Sequence, residues 1–209
     1  MLRTTTTLSI PRCNRVASPV SFFVNREDEI NAIVNILKQN GSSSDPEKRC
    51  VIRGNIGTGK TELCYAAAYR LLQEYPDAQI YLKVQENDST DISLFKILET
   101  VIHIFDPFAQ ISADLNLLYN HYFSVLTGKK VLIILDDLPS GHNLHLLTPP
   151  SSCALLIATK ENLEIPDIYS IFLSGLPQEV SEHLLVSICP QIGHFAATLA
   201  SLCQNLPLN

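Results

Sequence analysis

Two spacings of hydrophobic residues divide the chain into predicted helices and strands. Between Glu27 and Gln39, apolar residues recur at i, i+3, i+4 and i+7, the spacing of one helical face. The run Val131–Leu135 is uniformly apolar and short, as in a strand that is buried on both faces. The same patterns predict helices over Lys60–Glu74, Ile92–Phe105, Leu115–Leu126, Val180–Ile188 and Phe195–Cys203. Further strands are predicted over Cys50–Arg53, Gln79–Val84, Leu155–Ala158 and Ser170–Leu173.

This order of elements predicts the fold class. Strands that alternate with helices favour an α/β fold, in which a parallel sheet is sandwiched by helices. The last predicted helices are short and cannot bury much surface by themselves. We therefore expect a tail over residues 1–20, an α/β domain over 21–172, and over 173–209 the start of a small helical domain that is incomplete in this chain.

Composition narrows the class further. The chain has 209 residues, of which 46% are hydrophobic and 17% charged, so a buried core is expected rather than disorder. The net charge of -6 gives no clear signal for nucleic acid, although a local basic patch remains compatible with it. No apolar run reaches the length of about 18 residues that crosses a membrane.

Cysteine usage and the first residues bear on localisation. The six cysteines include no CxxC pair, which favours reduced thiols and a cytoplasmic protein. The segment before residue 22 carries arginines, a run of threonines from Thr4 to Thr7 and no acidic residue. That composition also occurs in organelle transit peptides, which is the alternative, but we favour a flexible tail.

One segment matches a phosphate-binding loop at every fixed position of the pattern G-x-x-x-x-G-K-[ST], between a predicted strand and a predicted helix. The segment consists of Gly54, Asn55, Ile56, Gly57, Thr58, Gly59, Lys60 and Thr61. Glycines let such a loop curl so that backbone N–H groups and the helix N-terminus converge on phosphate oxygens. Lys60 would reach the β- and γ-phosphates, and the Thr61 hydroxyl would bind Mg²⁺. The following Glu62 is included in the predicted nucleotide-binding set.

Two carboxylates follow the apolar run Val131–Leu135. Asp136 would hold Mg²⁺, and Asp137 would orient or deprotonate an attacking water, so both join Lys60 as candidate catalytic residues. An apolar strand that ends in an Asp-Asp turn is the structural alternative. The phosphate-binding loop upstream favours the functional interpretation. We therefore predict a site for ATP or ADP with Mg²⁺.

A third strand also ends in polar residues. Thr159 and Lys160 follow the run Leu155–Ala158, and ligands of α/β folds bind at the carboxyl ends of strands. The pair could face the γ-phosphate of a nucleotide. An exposed loop lysine explains Lys160 equally well.

With these motifs in order, residues 21–209 resemble the STAND class of signalling P-loop NTPases, and within it the NB-ARC type of apoptosome and plant resistance proteins. The resemblance is carried by Asp136-Asp137 and by the segments Phe23-Val24-Asn25-Arg26-Glu27, Ala158-Thr159-Lys160 and Cys203-Gln204-Asn205-Leu206-Pro207-Leu208. It implies that Val24, Asn25 and Arg26 contact adenine and ribose. It also implies that Lys160 senses the terminal phosphate and that Pro207 packs near the adenine.

The chain departs from the family pattern at three of these positions. Asn25 and Asn205 each replace a glycine, and Lys160 replaces an arginine. Asparagine still tolerates a positive φ, whereas lysine lacks the bidentate geometry of a guanidinium.

The resemblance implies a nucleotide-dependent switch. ADP would hold a closed state, ATP would favour an open state that self-associates, and slow hydrolysis would reset the switch. One alternative is an AAA+ ATPase similar to origin-recognition proteins, and another is a degenerate fragment that binds nucleotide without turnover. A small-molecule kinase is disfavoured, because the sequence shows no set of residues that would bind a second substrate. For Arg53 and Arg70, which could act as arginine fingers only by virtue of their charge, we expect solvated or structural roles.

Overall fold

The computed structural model describes residues 13–14, 25–38, 48–84, 90–141, 144–161 and 168–207. Val24, Gln39, Leu208 and most of the predicted tail lie outside the described residues. The strands are β1 (Cys13–Asn14), β2 (Arg49–Arg53), β3 (Ala78–Lys83), β4 (Val131–Asp136), β5 (Ala154–Thr159) and β6 (Tyr169–Phe172). The α-helices are α1 (Glu27–Lys38), α2 (Lys60–Arg70), α3 (Thr90–Phe105), α4 (Leu115–Leu126), α5 (Gln178–Ile188) and α6 (Ala196–Leu202). Two short 3₁₀ helices cover Leu144–Leu147 and Pro190–Phe195.

The described strands form one parallel sheet in the order β1-β3-β4-β5-β2-β6. Strand β5 lies between β2 and β4, with Val51 of β2 opposite Ile157 and Ile133 of β4 opposite Leu155. Because the strands are parallel, their carboxyl ends lie along the same edge of the sheet. The residues that follow β2, β4 and β5 therefore meet at that edge.

Helices cover both faces of the sheet, as predicted. On one face, Ile133 and Leu135 of β4 pack in a core with residues of α3 and α4. On the other face, Leu132 and Ile134 pack with residues of α1 and α2. Every residue of β4 is buried, and full burial of such an aliphatic side chain stabilises the fold by about 1.5–3 kcal/mol. The α/β class with a parallel sheet sandwiched by helices is thus confirmed.

Some element boundaries differ from the prediction. Helix α2 ends at Arg70 rather than at Glu74, because the N–H of Leu71 is shared between the carbonyls of Ala67 and Ala68 and the chain tightens into turns. The hydroxyl of Tyr75 then donates to the carbonyl of Leu37 and fixes this turn against α1.

Three further elements, β1 and the two 3₁₀ helices, were not predicted. Cys13 and Asn14, within the predicted tail, pair with Ala78 and Gln79 at the edge of the sheet. The 3₁₀ helix Pro190–Phe195 lies between α5 and α6 and contains Gly193 at φ 51°.

Arg70 of α2 forms hydrogen bonds with two residues of α1. Its guanidinium donates to both carboxylate oxygens of Glu27, at 2.8 and 2.6 Å, and to Oδ1 of Asn31 at 3.0 Å. This confirms a structural role for Arg70. No helix within the described residues is both long and apolar enough to cross a membrane.

The residues after the sheet return to the strand ends. Helices α5 and α6 pack on each other, with Gln178 donating to the carbonyl of Ala197 at 3.0 Å and with Ala200 buried. The turn after α6 then comes back to the loop before α5, where the N–H of Leu176 donates to the carbonyl of Asn205 at 2.9 Å. The extent of a separate helical domain over 173–209 stays a prediction.

Candidate functional site

The loop between β2 and α2 forms a tight turn that is closed by hydrogen bonds between its own residues. Gly57 and Gly59 have φ angles of 85° and 92°, a region that favours glycine. Gly59 is also the N-cap of α2, so the unpaired N–H groups of the first helical turn point toward the loop. Thr58 closes the turn, because its hydroxyl and its N–H both donate to the carbonyl of Asn55, at 2.9 and 3.4 Å. The loop is therefore a closed turn, and its binding of phosphate stays a prediction.

The first glycine of the loop is enclosed by its neighbours. The N–H of Gly54 donates to the carbonyl of Thr159 at 3.2 Å, which ties the loop to the end of β5. A Cβ atom at Gly54 would lie 2.5 Å from the carbonyl oxygen of Leu173 and 3.0 Å from the hydroxyl of Thr58. Packing thus excludes any side chain at this position. By contrast, the Ile56 side chain is 73% exposed at the outside of the loop.

Lys60 turns back into the loop that precedes it. The lysine is only 7% exposed, and its ammonium donates to the carbonyls of Gly54 and Asn55, both at 2.8 Å. Burial lowers the pKa of Lys60, while the nearby Asp137 and Asp136 carboxylates counter that shift. A partly desolvated cation inside a ring of backbone groups provides the positive charge that a phosphate group needs.

Asp136 lies directly beneath the start of α2. Its carboxylate is almost fully buried, and Oδ2 accepts a hydrogen bond from the Thr61 hydroxyl at 2.7 Å. The same oxygen accepts a hydrogen bond from the Tyr81 hydroxyl, also at 2.7 Å, while Oδ1 accepts one from the N–H of Asp137 at 3.1 Å. The two predicted metal ligands, distant in sequence, are therefore in contact.

These oxygens fit Mg²⁺ bound together with a nucleotide. Hydroxyl and carboxylate oxygens are the hard ligands that Mg²⁺ prefers. Among the described residues, no group of three or more His, Cys, Asp or Glu side chains could hold a metal. Mg²⁺ in nucleotide sites is held by one or two protein oxygens, with waters and phosphates completing its shell. The pair Thr61 and Asp136 matches that need.

Asp137 lies beyond the strand end in a left-handed conformation, with φ 58°. Its Oδ2 lies 3.1 Å from the ammonium of Lys83, at the end of the neighbouring strand β3. The hydrogen bond with Asp137 raises the pKa of Lys83. The predicted water-orienting carboxylate is therefore paired with a lysine.

Tyr81 and Lys83 were not predicted as site residues. They occupy alternate positions of β3, and Lys83 lies opposite Asp136 in the register of β3 and β4. Burial and then the hydrogen bond to Asp136 raise the pKa of Tyr81. Only the pairing of β3 with β4 brings these side chains to the aspartates.

The predicted base-binding segment borders a separate cavity. Arg26 is buried, and its guanidinium donates to the carbonyl of Ser174 at 2.5 Å and to Oε1 of Glu29 at 3.0 Å. Asn25 has φ 55°, which confirms that asparagine tolerates the turn. Asn25, Arg26 and the segment Ser174–Pro177 line a cavity of about 520 Å³, large enough for part of a small ligand. Contact of Asn25 and Arg26 with adenine and ribose stays a prediction.

The turn after α6 closes over the same region. Gln204 and Asn205 both have positive φ angles, of 53° and 57°, and direct the chain back toward α2. Pro207 then lies beside the phosphate-binding loop, because a Cβ atom at Gly59 would lie 4.0 Å from its Cγ. The structure thus brings Pro207 to the loop; its contact with adenine remains a prediction.

The end of β5 is arranged differently from expectation. Thr159 is fully buried, and its hydroxyl donates to the carbonyl of Leu138 at 2.7 Å while accepting from the N–H of Glu161 at 3.1 Å. Thr159 therefore supports the backbone and does not face a phosphate. Lys160 is exposed and close enough to Lys60 for its charge to lower the pKa of that lysine slightly. The exposed loop lysine and the phosphate sensor both remain compatible with this position.

Comparisons of sequence and structure relate the chain to known proteins. No family model matches the chain. The regulatory protein AfsR of Streptomyces coelicolor is 26% identical over 213 aligned residues, which cover 93% of this chain and 21% of AfsR. The chain therefore spans about a fifth of that relative.

Two solved structures share the fold. A signal transduction ATPase with numerous domains (STAND) and a tetratricopeptide repeat sensor, from Pyrococcus horikoshii, has a TM-score of 0.54 at 20% identity, covering 95% of this chain and 30% of its own. The ORC1 protein of Aeropyrum pernix, solved in complex with DNA, has a TM-score of 0.60 at 18% identity, covering 86% and 55%.

The chain therefore has the α/β fold of these two structures, with the sequence motif of a phosphate-binding loop directly after β2. The same fold thus occurs in a STAND ATPase, a member of the class that the sequence motifs resemble, and in an origin-recognition protein.

Proposed function

We propose that this chain is the ATP- and ADP-binding domain of an NB-ARC-like STAND ATPase, which acts as a nucleotide-dependent switch with slow hydrolysis. The observation that carries the proposal is the 2.7 Å hydrogen bond between Thr61 and Asp136, which forms directly beneath the loop that surrounds the Lys60 ammonium. The loop with the phosphate-binding motif, the Lys60 ammonium and two oxygen atoms of the kind that Mg²⁺ prefers lie together at one edge of the sheet.

Different residues of the site would bind different parts of a nucleotide and its Mg²⁺ ion. Backbone N–H groups of the loop and of the first turn of α2 would hold the phosphates, with Lys60 as the cation beside them. Thr61 and Asp136 would hold Mg²⁺, which when bound neutralises charge on the phosphate oxygens. In the present structure Lys60 binds loop carbonyls instead, so its ammonium must turn outward when phosphates enter.

Hydrolysis would depend on Asp137. A carboxylate beside the terminal phosphate can accept a proton from an attacking water or orient that water. The ammonium of Lys83 lies against Oδ2 of Asp137 and so occupies one of the two oxygens that such a water could reach. Slow turnover follows from this arrangement.

Switching would depend on the contact between the phosphate-binding loop and the turn after α6. Pro207 approaches Gly59, and the carbonyl of Asn205 accepts from Leu176 in the loop that lines the cavity. A nucleotide that contacts both sides would bias how the C-terminal helices pack on the sheet, by as much as its affinity differs between the two arrangements. A regulatory role would fit the similarity to the regulatory protein AfsR, and self-association through this domain in a longer protein is part of the same proposal.

The main alternative is an origin-recognition-like ATPase that binds DNA. It is favoured by the TM-score of 0.60 with the ORC1 protein, and opposed by the acidic net charge of the chain. Binding of duplex DNA at physiological salt, tested by fluorescence anisotropy, would support this alternative. The switch interpretation predicts no such binding.

The nucleotide content of the purified protein tests the proposal. The protein is denatured after purification and the released nucleotide is separated by ion-exchange chromatography. We expect mostly ADP, close to one per chain, and none from a Lys60→Ala variant prepared in parallel. A site that is empty after purification and also rejects added ATP would contradict the proposal and identify a degenerate fragment.

Turnover is tested separately. Asp137→Asn keeps the size of the side chain but removes the base, so we expect slower phosphate release at unchanged ADP affinity. Equal turnover in variant and parent would remove Asp137 from the mechanism.

A further inference from the structure

One side chain at the site is not explained by nucleotide binding alone. The hydroxyl of Tyr81 donates to Oδ2 of Asp136 at 2.7 Å, the same distance at which Thr61 donates to that oxygen. With the N–H of Asp137 on Oδ1, this carboxylate accepts three hydrogen bonds. Three neutral donors therefore surround an almost fully buried anion.

The position of Tyr81 is fixed by its surroundings. On β3 it lies opposite Ile134, two residues before Asp136, so its ring runs along the neighbouring strand toward the carboxylate. The ring packs against Tyr65 of α2, with centroids 5.1 Å apart and planes tilted by 56°. A phenol remains protonated at neutral pH, so Tyr81 can only donate to this carboxylate.

Two physical requirements compete for the Oδ2 atom. A buried carboxylate is costly unless donors satisfy it, and Tyr81 supplies one of them. A carboxylate oxygen that holds Mg²⁺, directly or through a coordinated water, needs a free lone pair for that interaction. Thr61 and Tyr81 together already use the two lone pairs of Oδ2.

We propose that Tyr81 is a positioning residue that stabilises the metal-free form of Asp136 and thereby raises the Mg²⁺ concentration at which the nucleotide site fills. The inference rests on the proposed function, because it requires that Mg²⁺ binds at Thr61 and Asp136. Removing the phenol leaves the carboxylate with one donor fewer, which destabilises the metal-free state and favours the state in which the metal satisfies it.

The test is a Mg²⁺ titration of the Tyr81→Phe variant. Binding of ADP is measured by calorimetry in EDTA and at increasing Mg²⁺, and the Mg²⁺ concentration at half-maximal enhancement is compared with the parent. We expect a midpoint about tenfold lower in the variant, the shift that corresponds to one hydrogen bond to a charged group. ADP affinity in EDTA stays the same, and the unfolding temperature in EDTA falls.

Tyr122→Phe is the matched control. Tyr122 is more deeply buried than Tyr81, and its hydroxyl also makes a single hydrogen bond, to the carbonyl of Leu147 at 3.1 Å, in the core between α4 and the 3₁₀ helix Leu144–Leu147. Its removal costs stability in the same way but leaves the Mg²⁺ midpoint unchanged. Should Tyr81→Phe be too unstable to purify, Tyr81→Met removes the same donor.

The outcomes separate the inference from the proposed function. A parent protein that binds ADP in a Mg²⁺-dependent manner, with an unchanged or higher midpoint in Tyr81→Phe, would overturn the role of Tyr81 alone. A parent that binds no ADP at any Mg²⁺ concentration would overturn both.

Discussion

The ammonium of Lys83 lies 3.1 Å from Oδ2 of Asp137, across the carboxyl ends of two neighbouring strands. Both side chains retain solvent contact, 66% for Lys83 and 33% for Asp137, so the pair contributes at most about 1 kcal/mol to stability. Its importance is chemical, because the lysine occupies the carboxylate that the proposed hydrolysis requires.

Replacing Lys83 tests whether this ion pair restrains turnover. In Lys83→Met no ammonium occupies Oδ2 of Asp137, so both carboxylate oxygens are open to an attacking water and we expect phosphate release several-fold faster than in the parent. The unfolding temperature should change little, because the pair contributes at most about 1 kcal/mol, and the affinity for ADP should stay the same. The control is Lys129→Met. It also removes a lysine ammonium, but one that lies over the Phe105 ring rather than beside Asp137. Slower release in Lys83→Met would show that the lysine assists the reaction.

The close packing of Gly54 predicts a specific defect. In Gly54→Ala the new Cβ would lie 2.5 Å from the carbonyl oxygen of Leu173, and backbone cannot yield as a flexible side chain can. We expect a loss of about 2 kcal/mol in the free energy of unfolding, measured by urea denaturation. ADP affinity should fall at least tenfold, because the loop must shift to accommodate the methyl group.

Gly128→Ala provides the comparison for that prediction. Gly128 has φ 77° and nothing within 4 Å of its Cβ position, so alanine there costs about 1 kcal/mol in backbone strain without a clash. ADP affinity should be unchanged. Equal ADP affinities in both alanine variants would contradict the assigned geometry of the loop.

The buried thiol of Cys50 makes the free energy of unfolding depend on pH in the alkaline range. Burial raises the pKa of Cys50 from 9.0 to about 12. The unfolded chain therefore loses this proton first as the pH rises above 9.0, and the folded state loses stability until its own pKa is reached. One such group contributes a slope of about 1.4 kcal/mol per pH unit in this window.

The Cys50→Ala variant isolates that contribution. Unfolding free energies of variant and parent are measured by urea denaturation under reducing conditions between about pH 8 and 10.5. We expect the variant to lose about 1–2 kcal/mol less than the parent over this range, since the other buried groups contribute equally to both. Parallel curves would show that the Cys50 thiol ionises as readily in the folded state as in the unfolded state.

The sequence predicted those parts of the site that are contiguous in the chain. The conformation of the loop from Gly54 to Thr61 depends mainly on its own residues, so its sequence motif predicts it. Asp136 could be predicted because it directly follows an apolar strand. Helix and strand types followed for the same reason, because the hydrophobic period reports which face of each element is buried. The parallel order of the sheet then brought Thr61 and Asp136 together.

Contacts that depend on strand pairing could not be predicted in this way. Tyr81 and Lys83 meet the aspartates only because β3 lies beside β4 in one particular register. The end of α2 was likewise misplaced, since a tertiary hydrogen bond from Tyr75 to Leu37 fixes the following turn. Thr159 has the right position for a phosphate sensor, but its hydroxyl is committed to the carbonyl of Leu138.

The central claim is that the loop around Lys60 binds the phosphates of a nucleotide. Calorimetric titration of the Lys60→Ala variant with Mg²⁺-ADP, beside the parent protein, tests it most directly. The account predicts measurable binding by the parent and an affinity at least a hundredfold lower in the variant. The reason is that the Lys60 ammonium is the positive charge within the loop that would contact the phosphates. Equal affinity in the two proteins would contradict it.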